Sequence, residues 1–424
     1  MKPVFARRNG DLFAEDISVR QIIDQVGSPA YIYSARALGE SYDALERALA
    51  ALPHTICFSA KCNMNLAVLR TFVLRGAGID VTSGGELYRA LQAGAKPSKI
   101  VYSGVGKRED EIEAALEAGI KLFNVESRAE LRCIDAVAAR LGARAPIAFR
   151  VNPDVDPKTH PYISTGLRTS KFGIPISDAI DAYAEAKALE HIDVIGVDCH
   201  IGSQMTDLSP LSDALTRLRS LVVELRGVGH RIDVVDVGGG LGVAYGEESA
   251  PTPDAYAGVI RETVGALDCE IVIEPGRSIA AGAGLFVTRV LYQKDNDGKN
   301  FVIVDGAMND LLRPALYQAY QRVEPVGPVG PGARKVDIVG PICESGDFLA
   351  RDRSLPPVED GDLLAFQSSG AYGFAMSSNY NGRPRVAEVM VRGDRFAIVR
   401  ERERLEDLVR GESIPEDLLG GGNG

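Results

Sequence analysis

A repeating alternation of residue types runs through more than half of this 424-residue chain and restricts its fold more than any other feature. Short runs rich in β-branched residues alternate with Ala/Leu/Glu-rich stretches whose apolar residues recur at helical spacing. Strands are predicted at 55–59, 79–82, 100–102, 122–125, 147–151, 194–199, 234–237 and 271–273. Helices predicted between them include 85–93, 109–118, 128–141 and 177–189. Eight β–α units in series predict an α/β fold with a (β/α)8 barrel of the TIM type, and periodicity alone leaves a doubly wound open sheet as the alternative.

The alternation stops near residue 282, where a second, β-rich region begins. Asp297-Gly298 lies between two apolar runs and predicts a hairpin turn. Further short strands are predicted at 336–339, 363–366, 386–391 and 396–399. We therefore predict a barrel at 30–281 and a sandwich-like or barrel-like β domain at 282–419. Residues 1–29 are expected to associate with that β domain, and the glycine-rich tail at 420–424 is expected to be disordered.

Composition excludes several classes of protein. The formal net charge is −11, which argues against a nucleic-acid partner because phosphate binding requires a basic surface. Neither a signal peptide nor an apolar run long enough to span a membrane is visible, so a cytoplasmic location is expected. The six cysteines and five histidines show no zinc-site spacing, and no metal site is predicted.

A lysine follows the first predicted barrel strand, in the segment Ala60-Lys61-Cys62-Asn63. Catalytic residues of such barrels gather at the carboxyl ends of the strands. A desolvated lysine at that place can lose its proton and form an imine with an aldehyde. For a lone lysine, a side chain that extends to solvent from a strand end is the ordinary alternative.

Polar residues follow the later strands at the same rim. They include Asn124, Arg150, Asp198, His200, Asp236 and Glu274. Each taken alone is compatible with a satisfied core group, but their recurrence at strand after strand predicts a site. The run Gly238–Gly240 exposes backbone N–H groups that suit an anion, and Gly276-Arg277 follows the next strand, so together they predict a phosphate site.

The motifs carry a family resemblance over about residues 30–401. Phe58-Ser59-Ala60-Lys61-Cys62-Asn63, His200-Ile201-Gly202-Ser203-Gln204, Gly238-Gly239-Gly240, Glu274-Pro275-Gly276-Arg277, Cys343-Glu344-Ser345 and Gly370-Ala371-Tyr372-Gly373 occur in this order. The order resembles that of the diaminopimelate decarboxylases. These enzymes belong to the alanine-racemase-like, fold type III family of decarboxylases that depend on pyridoxal 5'-phosphate (PLP).

The resemblance implies a role for each matching residue. Lys61 would hold PLP covalently, His200 would stack on its ring, and Glu274 would pair with the ring nitrogen. The phosphate would lie against Gly238, Gly239, Gly240, Gly276 and Arg277, with hydroxyl donors from Ser203 and Tyr372. Arg277, Arg313, Tyr317, Tyr372 and Glu344 would bind the substrate. Cys343 would be the proton donor, reaching the site from the other subunit of a homodimer.

The implied reaction is decarboxylation of meso-2,6-diaminopimelate to L-lysine and CO2, the last step of lysine biosynthesis. Two arginines together with Glu344 suit a substrate that carries an amino acid group at each end. An ornithine-type or carboxynorspermidine-type decarboxylase is the alternative within the class. A catalytically inactive binding protein and a lysine-imine aldolase are the alternatives outside it. The presence of Lys61 and Cys343 disfavours the first, and an aldolase would have no use for Glu274, the phosphate site or Cys343.

Overall fold

The computed structural model describes residues 4–157, 160, 165–166 and 170–418. The chain begins with a small antiparallel sheet of β1 (Phe5–Arg8), β2 (Asp11–Ala14) and β3 (Ile17–Ser18). Helix α1 (Val19–Val26), strand β4 (Ala30–Ser34) and helix α2 (Ala35–Leu49) follow. Ser34 caps α2, because its hydroxyl accepts a hydrogen bond from the backbone N–H of Ala37 at 3.0 Å.

Eight parallel strands close a ring within the described residues. They are β5 (His54–Ser59), β6 (Gly78–Val81), β7 (Ile100–Tyr102), β8 (Leu122–Val125), β9 (Ala145–Asn152), β11 (Ile192–Asp198), β12 (Val234–Asp236) and β13 (Glu270–Ile273). The two-residue strand β10 (Ile174–Pro175) pairs with the end of β9 outside the ring. The ring confirms the predicted barrel and excludes the open sheet, because β13 pairs with β5 and β8 pairs with β9.

Helices surround this ring, and all but the last return the chain to the amino end of the next ring strand. They are α3 (Leu66–Val73), α4 (Gly84–Gln92), α5 (Glu109–Ala118), α6 (Arg128–Leu141), α7 (Ala179–Ala188), α8 (Ser209–Gly227), α9 (Pro253–Thr263) and the short α10 (Arg277–Ala280). Helix α2 packs between α9 and α3 and so occupies the position beside the first and last strands. Helices α5 and α6 end at glycines in the left-handed conformation, Gly119 and Gly142.

The second sheet contains β14 (Gly284–Asn296), β15 (Lys299–Val304), β16 (Val323–Pro325), β17 (Arg334–Val339), β18 (Phe348–Leu355), β19 (Leu363–Phe366), β20 (Ala387–Arg392) and β21 (Arg395–Arg400). Its order is β18-β17-β15-β14-β4-β20-β21, and β19 joins β14 to β16. The turn between β14 and β15 consists of Asp297 and Gly298, both at positive φ, which confirms the predicted hairpin. Two short helices, α11 (Arg313–Tyr317) and α12 (Leu405–Leu408), accompany the sheet.

Strand β4 shows how the two regions are joined. It pairs with β14 and β20, so residues 30–34 belong to the second sheet although the predicted barrel segment starts at 30. Its side chains alternate between two cores. Ala30 and Ile32 pack in the cluster that includes α1, whereas Tyr31 and Tyr33 pack in the cluster shared with the barrel.

The outer limits of the predicted domains stay a prediction, and the tail at 420–424 lies outside the described residues. Within the described ranges, every helix is too short or too polar to cross a bilayer. The same residues contain no group of three or more His, Cys, Asp or Glu side chains placed to hold a metal ion.

Candidate active site

Two layers of side chains fill the inside of the barrel. The lower layer is apolar and includes Cys57, Val101, Leu122, Ala148, Val234 and Val272. Side chains alternate along a strand, so the residue two positions further along faces the same side. In each strand of the ring that residue is polar. This upper layer consists of Ser59, Asp80, Ser103, Asn124, Arg150, Asp198, Asp236 and Glu274, all buried. The carboxyl end of the barrel is therefore a polar chamber on an apolar floor.

Carboxyl groups dominate the polar layer. It contains four carboxyl groups and one guanidinium, and Arg150 is already paired with Glu126 at 2.8 Å. Burial raises the pKa values of Asp198, Asp236 and Glu274 well above the ordinary carboxyl range, and the neighbouring carboxylates of the layer raise them further. These groups therefore retain protons more strongly than exposed carboxyls do.

Lys61 lies in the turn Ala60–Cys62 directly after β5 and points its ammonium into this chamber. Its Nζ is 2.9 Å from Asp80 Oδ2. Desolvation lowers the pKa of Lys61, as the sequence suggested, but the charges of Asp80 and Glu274 outweigh it and raise the pKa above its ordinary value. Sequence reasoning considered desolvation alone, so it did not predict that Asp80 would favour the ammonium form of Lys61.

His200 follows β11 and is held as a neutral ring. Its Nδ1 accepts a hydrogen bond from the backbone N–H of Gly239 at 3.0 Å. Burial, with Arg150 and Lys61 nearby, lowers the pKa of His200 well below its ordinary value. The imidazole therefore presents an uncharged face, which suits stacking on another aromatic ring.

The glycine run after β12 has the close approach that a backbone anion site needs. Gly238 has φ +66°, and a Cβ there would lie 2.5 Å from His200 Nδ1. At Gly239 a Cβ would lie 2.3 Å from the carbonyl oxygen of Glu274. Only glycine fits these two positions, so the run lies against both His200 and the end of β13.

Two buried arginines share one tyrosine at the edge of the chamber. Arg277 Nη1 donates to the Tyr245 hydroxyl at 2.7 Å, and the Arg313 guanidinium lies 4.1 Å from the centre of the same ring. Arg277 also lies 4.7 Å from the Tyr372 ring and donates to Ser203 Oγ at 3.2 Å. Arg313 Nε is buried without a hydrogen-bond partner among the described residues. The cluster is thus a cationic site with a donor available for an anion.

The β-rich region contributes to the turn that carries Lys61. The backbone N–H of Tyr372 donates to the carbonyl of Cys62 at 2.7 Å, and Asn63 Nδ2 donates to the carbonyl of Gly370 at 2.9 Å. Burial raises the pKa of Tyr372 to about 12, so its hydroxyl keeps its proton at neutral pH. Tyr372 therefore lies next to the turn that carries Lys61, and the roles that the resemblance implies for the two residues stay a prediction.

Cys343 and Glu344 have a different environment. Both are exposed, and their hydrogen bonds are made within the β-rich region. Glu344 Oε2 accepts from the Tyr380 hydroxyl at 2.7 Å, and the backbone N–H of Cys343 donates to Asn381 Oδ1 at 2.8 Å. Tyr317 is half-buried in α11, with its ring 5.7 Å from that of His160. One chain therefore assembles the lysine, histidine, glycine and arginine parts, with Cys343 and Glu344 on its surface.

Comparisons with known proteins give the family. Residues 36–281 match the family model described as pyridoxal-dependent decarboxylase, pyridoxal binding domain. A diaminopimelate decarboxylase from Pseudomonas aeruginosa is 53% identical over 410 residues, which cover 97% of this chain and 99% of that one. The chain belongs to the diaminopimelate decarboxylase family.

Solved structures of diaminopimelate decarboxylases agree with this assignment. The enzyme from Helicobacter pylori, complexed with L-lysine, is 41% identical with a TM-score of 0.90, covering 92% of this chain and 98% of that one. The enzyme from M. jannaschii, also in complex with L-lysine, is 37% identical with a TM-score of 0.94, covering 98% and 99%. The predicted family, its PLP dependence and its barrel fold are confirmed.

The residues of this diaminopimelate decarboxylase family member fit PLP. The glycine run is a cradle that a Cβ would fill, and it adjoins a neutral imidazole and the backbone of Glu274, whose carboxyl is buried. Sequence reasoning missed Asp80 and Tyr245. A carboxylate inside the apolar strand at 79–82 was a signal for the first, but no local pattern marks Tyr245, which lies beyond the glycine run at 238–240.

Proposed function

We propose that this chain decarboxylates meso-2,6-diaminopimelate to L-lysine and CO2 with PLP, the last step of lysine biosynthesis. The observation that carries the proposal is the pair of buried guanidinium groups that share Tyr245 beside the Lys61 chamber. A substrate with one carboxylate at the reacting carbon needs no such pair. A substrate with a second, distal carboxylate does, because a desolvated carboxylate must be matched by cationic donors.

The residues that would hold the cofactor lie at the barrel rim. Lys61 would hold it covalently, His200 would stack on its ring, and Glu274 would pair with the ring nitrogen. The phosphate would lie against Gly238, Gly239, Gly240, Gly276, Arg277, Ser203 and Tyr372. Bound PLP supplies an electron sink for the electron pair left on the α-carbon when CO2 departs.

Side chains of the protein itself would hold and donate the protons. The raised pKa of Glu274 means that its carboxyl has a proton to share with a ring nitrogen placed against it. Asp80 would favour the ammonium form of Lys61 whenever that amine is not joined to the cofactor, so the amine must give up this proton before it holds the cofactor again. The apolar lower layer of the barrel excludes water from the underside of these groups.

The distal end of the substrate would meet Arg277 and Arg313, with Tyr317 and Tyr372 as hydroxyl partners. Tyr245 fixes both guanidiniums, so the cations are oriented before the substrate arrives. Glu344 would accept the distal ammonium, and Tyr380 restrains its carboxylate.

The assembly that we propose is a homodimer with shared sites. Cys343, as proton donor, and Glu344 of one protomer would complete the site of the other, which is compatible with their exposure on the single chain. A twofold axis makes the exchange reciprocal. A cytoplasmic location and the domain limits given above belong to the same proposal.

The test is CO2 release from meso-diaminopimelate, L-ornithine and carboxynorspermidine by the purified protein and by Arg313→Gln. We expect the protein to prefer diaminopimelate. Arg313→Gln should raise KM for diaminopimelate at least tenfold while changing the turnover of ornithine little, because ornithine has no distal carboxylate. Faster turnover of ornithine or carboxynorspermidine by the unmodified protein would reverse the choice of substrate.

A further inference from the structure

A chain of hydrogen bonds links two parts of the active site through the inside of the barrel. Asp236, the last residue of β12, accepts from the backbone N–H of Gly238 through Oδ1 at 2.9 Å. Its other oxygen, Oδ2, accepts from Asn124 Nδ2 at 3.1 Å. The same Asn124 nitrogen lies 3.3 Å from Glu274 Oε1, and Ser103 Oγ donates to that oxygen at 3.0 Å.

The members of this chain are all buried, and Asp236 and Asn124 are completely so. An amide nitrogen has two hydrogens to donate. One Asn124 N–H is used by Asp236, and the other is available to Glu274 and to Ser103 Oγ, which is 3.2 Å away. One carboxylate is therefore connected on one side to the glycine turn and on the other side to Glu274.

We propose that Asp236 is a positioning residue that fixes Glu274 relative to the glycine turn, through Asn124 on one side and the Gly238 N–H on the other. The inference rests on the proposed function, in which Glu274 meets the ring nitrogen of PLP and the glycine turn meets its phosphate. The ring nitrogen and the phosphate belong to one small molecule and are joined through a short methylene link. The separation of their two anchors in the protein would therefore be limited to the reach of that link.

The chemistry at position 236 explains why an acid is needed there. Both neighbours, the Gly238 N–H and the Asn124 amide, are donors, so the residue must present two acceptors. Aspartate does this with its two oxygens, whereas asparagine has one acceptor and one donor. Asp236→Asn therefore keeps at most one of the two links. If Asn124 turns its amide to restore the second link, it withdraws its N–H from Glu274.

The experiment compares two cofactors on the full-length protein after removal of bound PLP. One is PLP, and the other is its 1-deaza analogue, in which carbon replaces the ring nitrogen while the phosphate and aldehyde remain. Dissociation constants are measured by titration for the wild type, Asp236→Asn and Asn124→Ala. Asp198→Asn is the matched control, since Asp198 is buried and in register with Asp236 on the neighbouring strand. Thermal unfolding of each protein checks that it is folded.

We expect Asp236→Asn and Asn124→Ala each to weaken PLP binding about tenfold and to affect the deaza analogue much less. Asp198→Asn should not show that selectivity. The inference is overturned if neither variant weakens PLP binding, if Asp236→Asn weakens both cofactors equally, or if Asp198→Asn shows the same selective loss. Should Asp236→Asn fail to fold, Asn124→Ala decides by the same criterion. If the wild type binds both cofactors equally well, the role of Glu274 in the proposed function fails instead, so the two failures are distinguishable.

Discussion

The ammonium of Lys61 lies 2.9 Å from Asp80 Oδ2, and the same carboxylate oxygen accepts a hydrogen bond from Ser59 Oγ. Asp80 is completely buried, so little water screens its charge from the lysine. This pair holds the proton on Lys61, and the proposed reaction needs Lys61 both as an amine and as an ammonium.

Replacing Asp80 by Asn should lower the pKa of Lys61. Desolvation, which disfavours the ammonium, would then act with less opposition. We expect the pH midpoint for the reaction of PLP with the cofactor-free protein to move to lower pH, as measured by the rate at which visible absorbance develops. Ser59→Ala, which removes a hydrogen bond but no charge, should leave the midpoint nearly in place. A midpoint that stays unchanged or moves upward in Asp80→Asn would contradict the assignment.

Lys61→Ala should abolish both the visible absorbance of lysine-bound cofactor and nearly all turnover, because no other residue of the chamber, among those that the structure describes, offers a primary amine. Lys61→Arg is the matched control, since it retains a cation beside Asp80 but forms no imine. We expect it to be colourless and inactive while retaining more thermal stability than Lys61→Ala. A yellow, active Lys61→Ala protein would refute the covalent role of Lys61.

Tyr245→Phe tests the pair of arginines. The change removes the hydroxyl that accepts from Arg277 at 2.7 Å and keeps the ring beneath Arg313. We expect KM for diaminopimelate to rise about tenfold with a smaller change in kcat, since one charge-assisted hydrogen bond is lost. Tyr245→Leu, which also removes the ring, should raise KM further. Equal kinetics for Tyr245→Phe and the wild type would mean that the hydroxyl does not orient Arg277 for the substrate.

Mixed dimers test whether sites are shared between chains. Lys61→Ala and Cys343→Ala, each inactive alone, are combined under conditions that exchange subunits. With random pairing, about half of the dimers are mixed and each has one intact site, so activity should recover to about a quarter of the wild type.

The control mixture is Lys61→Ala with His200→Ala. Both residues belong to the rim of one barrel, so each site of a mixed dimer keeps one defect and no recovery is expected. Absence of recovery in the Lys61→Ala and Cys343→Ala mixture despite verified exchange would place Cys343 in the same chain's site as Lys61. Recovery in the control would instead contradict the placement of Lys61 and His200 in one chain's site.

Asp310 should make stability depend on pH with a defined sign. Burial raises its pKa from 3.8 to about 6, against the opposing effect of Arg383. Between these values the folded state binds more protons than the unfolded state, so stability falls as pH rises through this range, by up to about 3 kcal/mol. Below pH 4 both states are protonated and this loss is absent.

Asp310→Asn cannot titrate, so it isolates this effect. The free energy of unfolding of the wild type should fall relative to that of Asp310→Asn between about pH 4 and pH 6 and then change no further. Denaturant midpoints at several pH values give the measurement. If the free energy of unfolding of the wild type instead rises relative to that of Asp310→Asn over this range, the folded protein stabilises the charged form of Asp310.

Much of the barrel was predictable because its signals are local. All eight ring strands overlap the predicted runs, since a β-branched run between turn residues has few other conformations open to it. The strand Phe348–Leu355 was not predicted. It has a charged Arg-Asp-Arg segment that is partly exposed at the edge of the second sheet, and this resembles a loop when read along the chain.

The sequence alone was sufficient to predict the order of the motifs, the barrel, and the placement of Lys61, His200 and Glu274 at strand ends. The end of a strand can be recognised from the residues next to it along the chain. It could not show that Lys61 meets Asp80, that Arg277 and Arg313 share Tyr245, or that Asn124 joins Asp236 to Glu274. Those contacts join residues on different elements, up to 150 positions apart. Ring closure and sheet packing set their distances, and a buried charge depends on whichever groups that packing places within a few ångströms.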